Sequence, residues 1–321
     1  MSSARVVFMG TPPFAVASLE ALLKAGIDVA AVVTAPDRPS GRGQQLRMSA
    51  VKEYALAHPE LKHHILQPEK LKDPDFHRQL DATGARLYVV VAFRMLPELV
   101  WKRPELGTIN LHGSLLPDYR GAAPINWAVM NGERLTGATT FFLRHEIDSG
   151  DLIDRCEVPI RADDSAGDVH DRLMEEGAQL LVRTVRSILD GTAQRRPQEA
   201  PSNGTLHHAP KLTPENCHLD AGRSAQHVHD HVRGLSPAPG AWAFFHDGVS
   251  PPTHFKLWRT SVHDTRRTEP VGVMTCEGDR VLLQCGDGHV QLMELQPEGK
   301  RRMDAAAFFR GLRGNGPFRL A

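Results

Sequence analysis

The run RLYVVVA at residues 86–92 is almost wholly apolar, rich in β-branched side chains, and flanked by stretches with helical spacing. A strand with one wet face alternates apolar and polar residues. One that does not alternate is covered on both faces, as in a parallel sheet clad by helices. Similar runs occur at residues 5–9 and 29–34. Between them, residues 14–24 place Ala15, Leu19, Leu22 and Leu23 on one helical face and stop at Gly26. Residues 49–58 read as a further helix, and Asp73-Pro74 opens another that runs to about Asp81. Strand and helix therefore alternate, which predicts an α/β fold with a doubly wound, mostly parallel, Rossmann-like sheet.

Further along, residues 108–112 form a strand, Pro124 starts a helix to Met130, and residues 138–143 and 152–160 make a hairpin pair. Ser165 and Asp168 have capping-box spacing ahead of a long amphipathic helix through Leu189, with Asp190-Gly191 as its stop. Residues 192–210 lack any period and are rich in Pro, Gln, Ser and Gly. After a helix at 225–235 come five short strand-like runs at 241–245, 254–258, 271–276, 281–284 and 290–295. They predict a small OB-like β-barrel. The expected organisation is a catalytic domain over 1–191, a linker over 192–210 and a barrel domain over 211–321.

The 321 residues are 41% hydrophobic and 24% charged, which excludes wholesale disorder and a disulfide-stapled miniature fold. The 38 Lys and Arg cancel the 38 Asp and Glu, so bulk charge points to no nucleic-acid or membrane partner. Cys156, Cys217, Cys276 and Cys285 show neither a C-x-x-C pair nor zinc-finger spacing, consistent with reduced thiols in the cytoplasm and with no metal. The apolar run at 6–10 is too short for a signal peptide, and no stretch approaches the roughly 20 apolar residues of a membrane span. The turn after the first strand, Gly10-Thr11-Pro12-Pro13-Phe14, has one glycine where a dinucleotide loop needs several.

Chemistry gathers at Asn110-Leu111-His112. Alternation along an extended chain points positions 110 and 112 to the same side, at a strand end where open α/β sheets bind ligands. A glycine-bracketed loop, Gly113 to Gly121, follows and would form a fixed wall. If Asp148, in HEIDSG at 145–150, reaches His112, it would orient the ring and favour its protonated form. Asn110 would then donate an amide N–H to a developing oxyanion. The trio offers no nucleophile for a covalent adduct and suits direct acyl transfer to an amine. Singly, an Asn-x-His is more often a polar strand edge and an Asp-x-Gly a turn; it is their combination that points to chemistry.

GTPPFAVASLEALL (10–23), APDRPSGRG (35–43), VVVAFRMLP (89–97), NLHGSLLPDYRGAAPINWAVMNGE (110–133), HEIDSGDLI (145–153) and LQPEGKRRM (295–303) together resemble the methionyl-tRNA formyltransferases. The Asn-x-His, Ser-Leu-Leu-Pro and Asp-x-Gly set is shared by enzymes that use 10-formyltetrahydrofolate. The loop at 36–43 and the C-terminal LQPEGKRRM are characteristic of the tRNA enzymes. The resemblance implies that Asn110, His112 and Asp148 are catalytic and that Ser114, Leu115, Leu116 and Pro117 border the folate. It further implies that Val91, Phe93 and Leu96 help line the pterin pocket, and that Arg38, Arg42 and Arg47 meet the acceptor end of initiator tRNA. Gln44-Gln45 and Ala221 depart from the family pattern, where lysines and a tryptophan are frequent. The implied enzyme is a cytoplasmic monomer that takes 10-formyltetrahydrofolate as co-substrate and needs no metal. An amino-sugar-nucleotide formyltransferase, a formyltetrahydrofolate hydrolase and a non-catalytic RNA-binding protein stand as alternatives.

Overall fold

Every residue of Val6–Gly10, Val29–Val33 and Leu87–Val91 is buried in the computed structural model, as strands covered on both faces must be. The structure describes residues 5–40, 45–199, 205–264, 266, 268–312 and 316–321. In chain order the elements begin with β1 (Val6–Gly10), α1 (Pro13–Lys24), β2 (Val29–Val33), β3 (Arg38–Ser40), β4 (Gln45–Arg47), α2 (Ala50–Leu56), β5 (Ile65–Leu66), α3 (Pro74–Ala82) and β6 (Leu87–Val91). There follow α4 (Glu98–Trp101), β7 (Thr108–His112), β8 (Arg120–Gly121), α5 (Pro124–Met130), β9 (Leu135–Phe142), β10 (Leu152–Pro159), α6 (Ala166–Leu189), β11 (His208–Ala209), α7 (Pro214–Cys217) and α8 (Ala225–Gly234). The last are β12 (Ala241–His246), β13 (Thr253–Asp264), β14 (Val273–Glu277), β15 (Arg280–Gln284), β16 (His289–Pro297), β17 (Met303–Asp304), α9 (Ala305–Arg310) and β18 (Phe318–Leu320).

The chain divides into two compact units, one of residues 1–120, 137–158 and 171–207, the other of 121–136, 159–170 and 208–321. The first holds a seven-stranded sheet in the order β10-β9-β7-β6-β1-β2-β5. From β7 through β5 the strands run parallel, and β9 lies antiparallel to β7. The winding reverses at β1, with β6 on one side and β2 on the other, so the carboxyl ends of these strands open a crevice. Val7, Met9, Tyr88 and Val90, alternate residues of β1 and β6, pack with Phe76 and Leu80 of α3 in one core layer. At the end of β1 only glycine fits at position 10, because a β-carbon there would lie 2.6 Å from that of Ala15 in α1.

The expected helices and sheet strands appear, with ends shifted by a few residues. Additional elements include the edge strand β5, the helix α4, and an antiparallel ribbon, β3 with β4, where a loop was expected. Each is two to four residues long, too short for a period to show.

In the second unit, β13-β12-β18-β14-β15-β16 is closed by pairing of β13 with β16, giving a six-stranded antiparallel barrel with β17 appended to β16. Sequence patterning finds five of these strands. The sixth, β18, is three residues long and joins β12 to β14. Phe245, Phe255, Leu257, Leu283, Leu292 and Phe318 fill the interior with Val228 and Val232 of α8. Among the described residues, no helix is long and apolar enough to cross a membrane. Cys276 is exposed, whereas Cys217 and Cys285 are buried.

Candidate active site

His112 ends β7 at the carboxyl edge of the sheet and is only 6% exposed. Its Nε2 lies 3.0 Å from the carbonyl of Tyr119. A carbonyl only accepts, so Nε2 carries the proton and donates, and in the neutral ring the lone pair resides on Nδ1. Nδ1 faces Asp148 Oδ2 at 3.8 Å, an ion-pair distance for a protonated ring and too long for a hydrogen bond. Asp148 is 13% exposed by side chain and sits on a left-handed backbone, φ 51°. That conformation is costly for a residue with a β-carbon and persists where its surroundings enforce it. Asn110, half-buried, stands two residues before His112 on the same strand. Opposite them on β9 are Phe141 and Thr139 respectively.

The loop after His112 is fixed by β9. Thr139 donates its hydroxyl to the carbonyl of Ser114 at 2.7 Å and accepts from the amide of Leu116 at 3.1 Å. Ser114, wholly buried, gives its own hydroxyl to the carbonyl of Asp118 at 2.6 Å and so braces the loop from within. Leu115 packs over Gly137, where a β-carbon would lie 2.4 Å from Leu115 Cδ2. Leu116 and Pro117 border a cavity of about 490 Å³ that also touches Thr139, Ile153, Arg155 and Arg195. Val91 is fully buried, paired with Gly10 on one side and Leu111 on the other. Leu96 belongs to the core layer containing Val90, and Phe93 packs against it.

Arg38 and Arg47 pair across the ribbon and are exposed; Arg42 lies outside the described residues. The ribbon is anchored at Asp37, which accepts from Lys52 Nζ at 2.5 Å and from Gln67 Nε2 at 2.8 Å. The Lys52 ammonium first, and the Gln67 amide after it, hold the Asp37 carboxyl below its ordinary range.

Residues 4–185 match the family described as formyl transferase, and residues 211–313 match the formyl transferase C-terminal domain. The chain belongs to the formyl transferase family. Among curated formyl transferases, the methionyl-tRNA formyltransferase of Azobacteroides pseudotrichonymphae is 46% identical over 97% of this chain and 96% of its own. That of Bacteroides fragilis is 44% identical over 98% and 97%. Among solved structures, the N-formyltransferase of Helicobacter canadensis, in complex with folinic acid and dTDP-3-aminofucose, shares the fold at a TM-score of 0.65 and 17% identity, covering 92% of this chain and 99% of its own.

Three residues of this formyl transferase escaped the sequence reading. Thr139 holds the loop, but nothing in a strand sequence singles out its hydroxyl. Arg94 donates to the backbone carbonyls of Pro68 and Glu69 from inside the VVVAFRMLP segment, leaving its buried Nε without a partner among the described residues. Gln198 falls in the stretch read as an aperiodic linker, yet its side chain reaches the carbonyls of Asp148 and Gly150. Asp118 accepts from the backbone amide of His207 at 2.6 Å. Arg120 turns to Gln198. His207 also stacks on Tyr119 with ring centroids 5.2 Å apart.

Proposed function

We propose that the chain transfers the formyl group of 10-formyltetrahydrofolate to the α-amine of methionyl initiator tRNA. The observation that carries this reading is a buried imidazole facing a carboxylate at the open ends of the sheet strands, in a chain that matches methionyl-tRNA formyltransferases over nearly its whole length. The amine attacks the formyl carbon and a tetrahedral oxyanion develops. Asn110 donates its amide N–H to that oxygen. The amine gives up its proton toward His112 Nδ1, the nitrogen left basic by the Tyr119 hydrogen bond. Asp148 then stands opposite the imidazolium charge. Collapse of the intermediate expels the folate nitrogen, which takes a proton back, and no covalent enzyme adduct forms.

On this reading Leu115, Leu116 and Pro117 border the folate, with Val91, Phe93 and Leu96 shaping the wall behind the pterin. Arg38, Arg42 and Arg47 meet tRNA phosphates. We take residues 1–191 as the catalytic domain, 192–210 as the linker and 211–321 as a tRNA-binding barrel, in a cytoplasmic monomer that needs no metal. The test is transfer of labelled formyl from 10-formyltetrahydrofolate by the purified protein. Formylation of methionyl-tRNA is the expected result. Formylation of an amino sugar nucleotide instead, formate release without an acceptor, or RNA binding with no transfer would each overturn it.

A further inference from the structure

We infer that Gln198 is a positioning residue for formyl transfer, holding the loop that carries Asp148 at the distance His112 requires. Its Oε1 accepts from Arg120 Nε at 3.1 Å and from Nη2 at 2.5 Å. Its Nε2 donates to the carbonyls of Asp148 and Gly150, both at 2.8 Å. A guanidinium has only donors and the two carbonyls are only acceptors, so the amide has one possible orientation and all its partners agree with it. The first carbonyl belongs to Asp148 itself, whose φ is 51°, and the second lies two residues on. The loop also lies tight against the end of β9, where a β-carbon on Gly150 would lie 1.6 Å from the carbonyl oxygen of Phe142 and the Phe142 amide donates to the carbonyl of Asp151 at 2.9 Å. The loop is thus pinned between the end of β9 and one side-chain amide. The segment supplying that amide is itself fixed, since Arg196 and Leu152 exchange backbone hydrogen bonds of 2.9 and 2.7 Å.

Gln198 touches neither His112 nor the side chain of Asp148 in any of these bonds, so it acts through the backbone beneath the carboxylate. An isosteric Gln198→Met removes both ends of the clamp. Gln198→Glu keeps the Arg120 contact but faces the two carbonyls with an acceptor.

The inference rests on the formyl-transfer reading, and two independent measurements separate them. In the transfer assay, both variants should lose about 10-fold to 100-fold in kcat, the cost of misplacing a catalytic group by up to an ångström, with KM for 10-formyltetrahydrofolate unchanged. In an Asp148→Asn background the same substitutions should cost little more, because the group they position is already gone. Hydrogen exchange over residues 145–151 should be about tenfold faster in the variants, the worth of one net hydrogen bond. This readout stands whether or not the wild type formylates tRNA. Arg120→Met, which leaves the donor side of the clamp intact, should move kcat and exchange in the same direction and serves if the Gln198 variants do not fold. Wild-type kcat, a change confined to KM, full additivity with Asp148→Asn, or unchanged exchange would each overturn the assignment. Absence of formyl transfer by the wild type would sink the functional reading alone.

Discussion

Asp148 and His112 are oriented by backbone rather than by each other. The ring is held by the Tyr119 carbonyl, and the carboxylate stands 3.8 Å away on a turn of positive φ. Asp148→Asn preserves shape and removes charge. It should lower kcat by about 10² or more while leaving tetrahydrofolate affinity, measured by fluorescence quenching, within a few-fold. Asn110→Ala and His112→Ala should behave alike, and near-normal turnover in all three would remove these residues from the chemistry. Thr139 makes a different prediction. Thr139→Val deletes a buried hydroxyl that serves two backbone groups, so urea unfolding should report a loss of about 1–3 kcal/mol. At this scale the sequence is legible in placing Asn110 and His112 together at the end of one strand. It is silent where a common residue such as Thr139 or Gln198 works through the backbone of a distant segment.

The ribbon of β3 and β4 sets Arg38 directly opposite Arg47, two exposed cations whose mutual repulsion costs stability unless an anion lies between or beside them. Arg38→Ala and Arg47→Ala should each raise KM for methionyl-tRNA without changing KM for the folate, and each should make the dependence of log affinity on log salt shallower by roughly 0.7–0.9. A rise in folate KM would place the ribbon elsewhere in the reaction. Elements with a strong period were legible: Ser165 does cap α6, accepting from the amide of Asp168 at 3.2 Å, and Pro124 does open α5. The ribbon was not, because Pro39 and the glycines near it in sequence carry loop chemistry and Arg38, Pro39, Leu46 and Arg47 are all exposed. The stretch after Gly191 reads as a linker for the same reason. Its described residues are held by single contacts at Arg196, Gln198 and His207, not by any periodicity.

For the whole molecule, folding should respond to pH through His231 on α8. Burial pushes this imidazole down to about 4 from 6.5, outweighing its hydrogen bond with the Cys217 backbone, and its buried Nε2 has no partner among the described residues. The unfolded chain therefore binds the proton first, so the stability is fully present above pH 6.5 and is lost as the pH falls toward 4. The shift corresponds to at most about 3 kcal/mol. Urea midpoints between pH 7 and 4.5 should fall less steeply in His231→Gln than in the wild type; parallel curves would contradict the burial argument. With no net charge, the protein should also bind tRNA with a salt slope far shallower than the roughly −10 of a strongly basic binder, and filter binding across a salt series checks this.

Ring closure by β18 also bears on biosynthesis. Among the described residues β12 and β14 do not pair with each other, and Phe318–Leu320 lies between them, paired to both. Until those residues emerge from the ribosome, a nascent chain carries two bare strand edges, the kind of surface that recruits stray β-strands from other chains. A chain lacking Phe318–Leu320 would carry an aggregation-prone, gapped ring in place of the closed barrel.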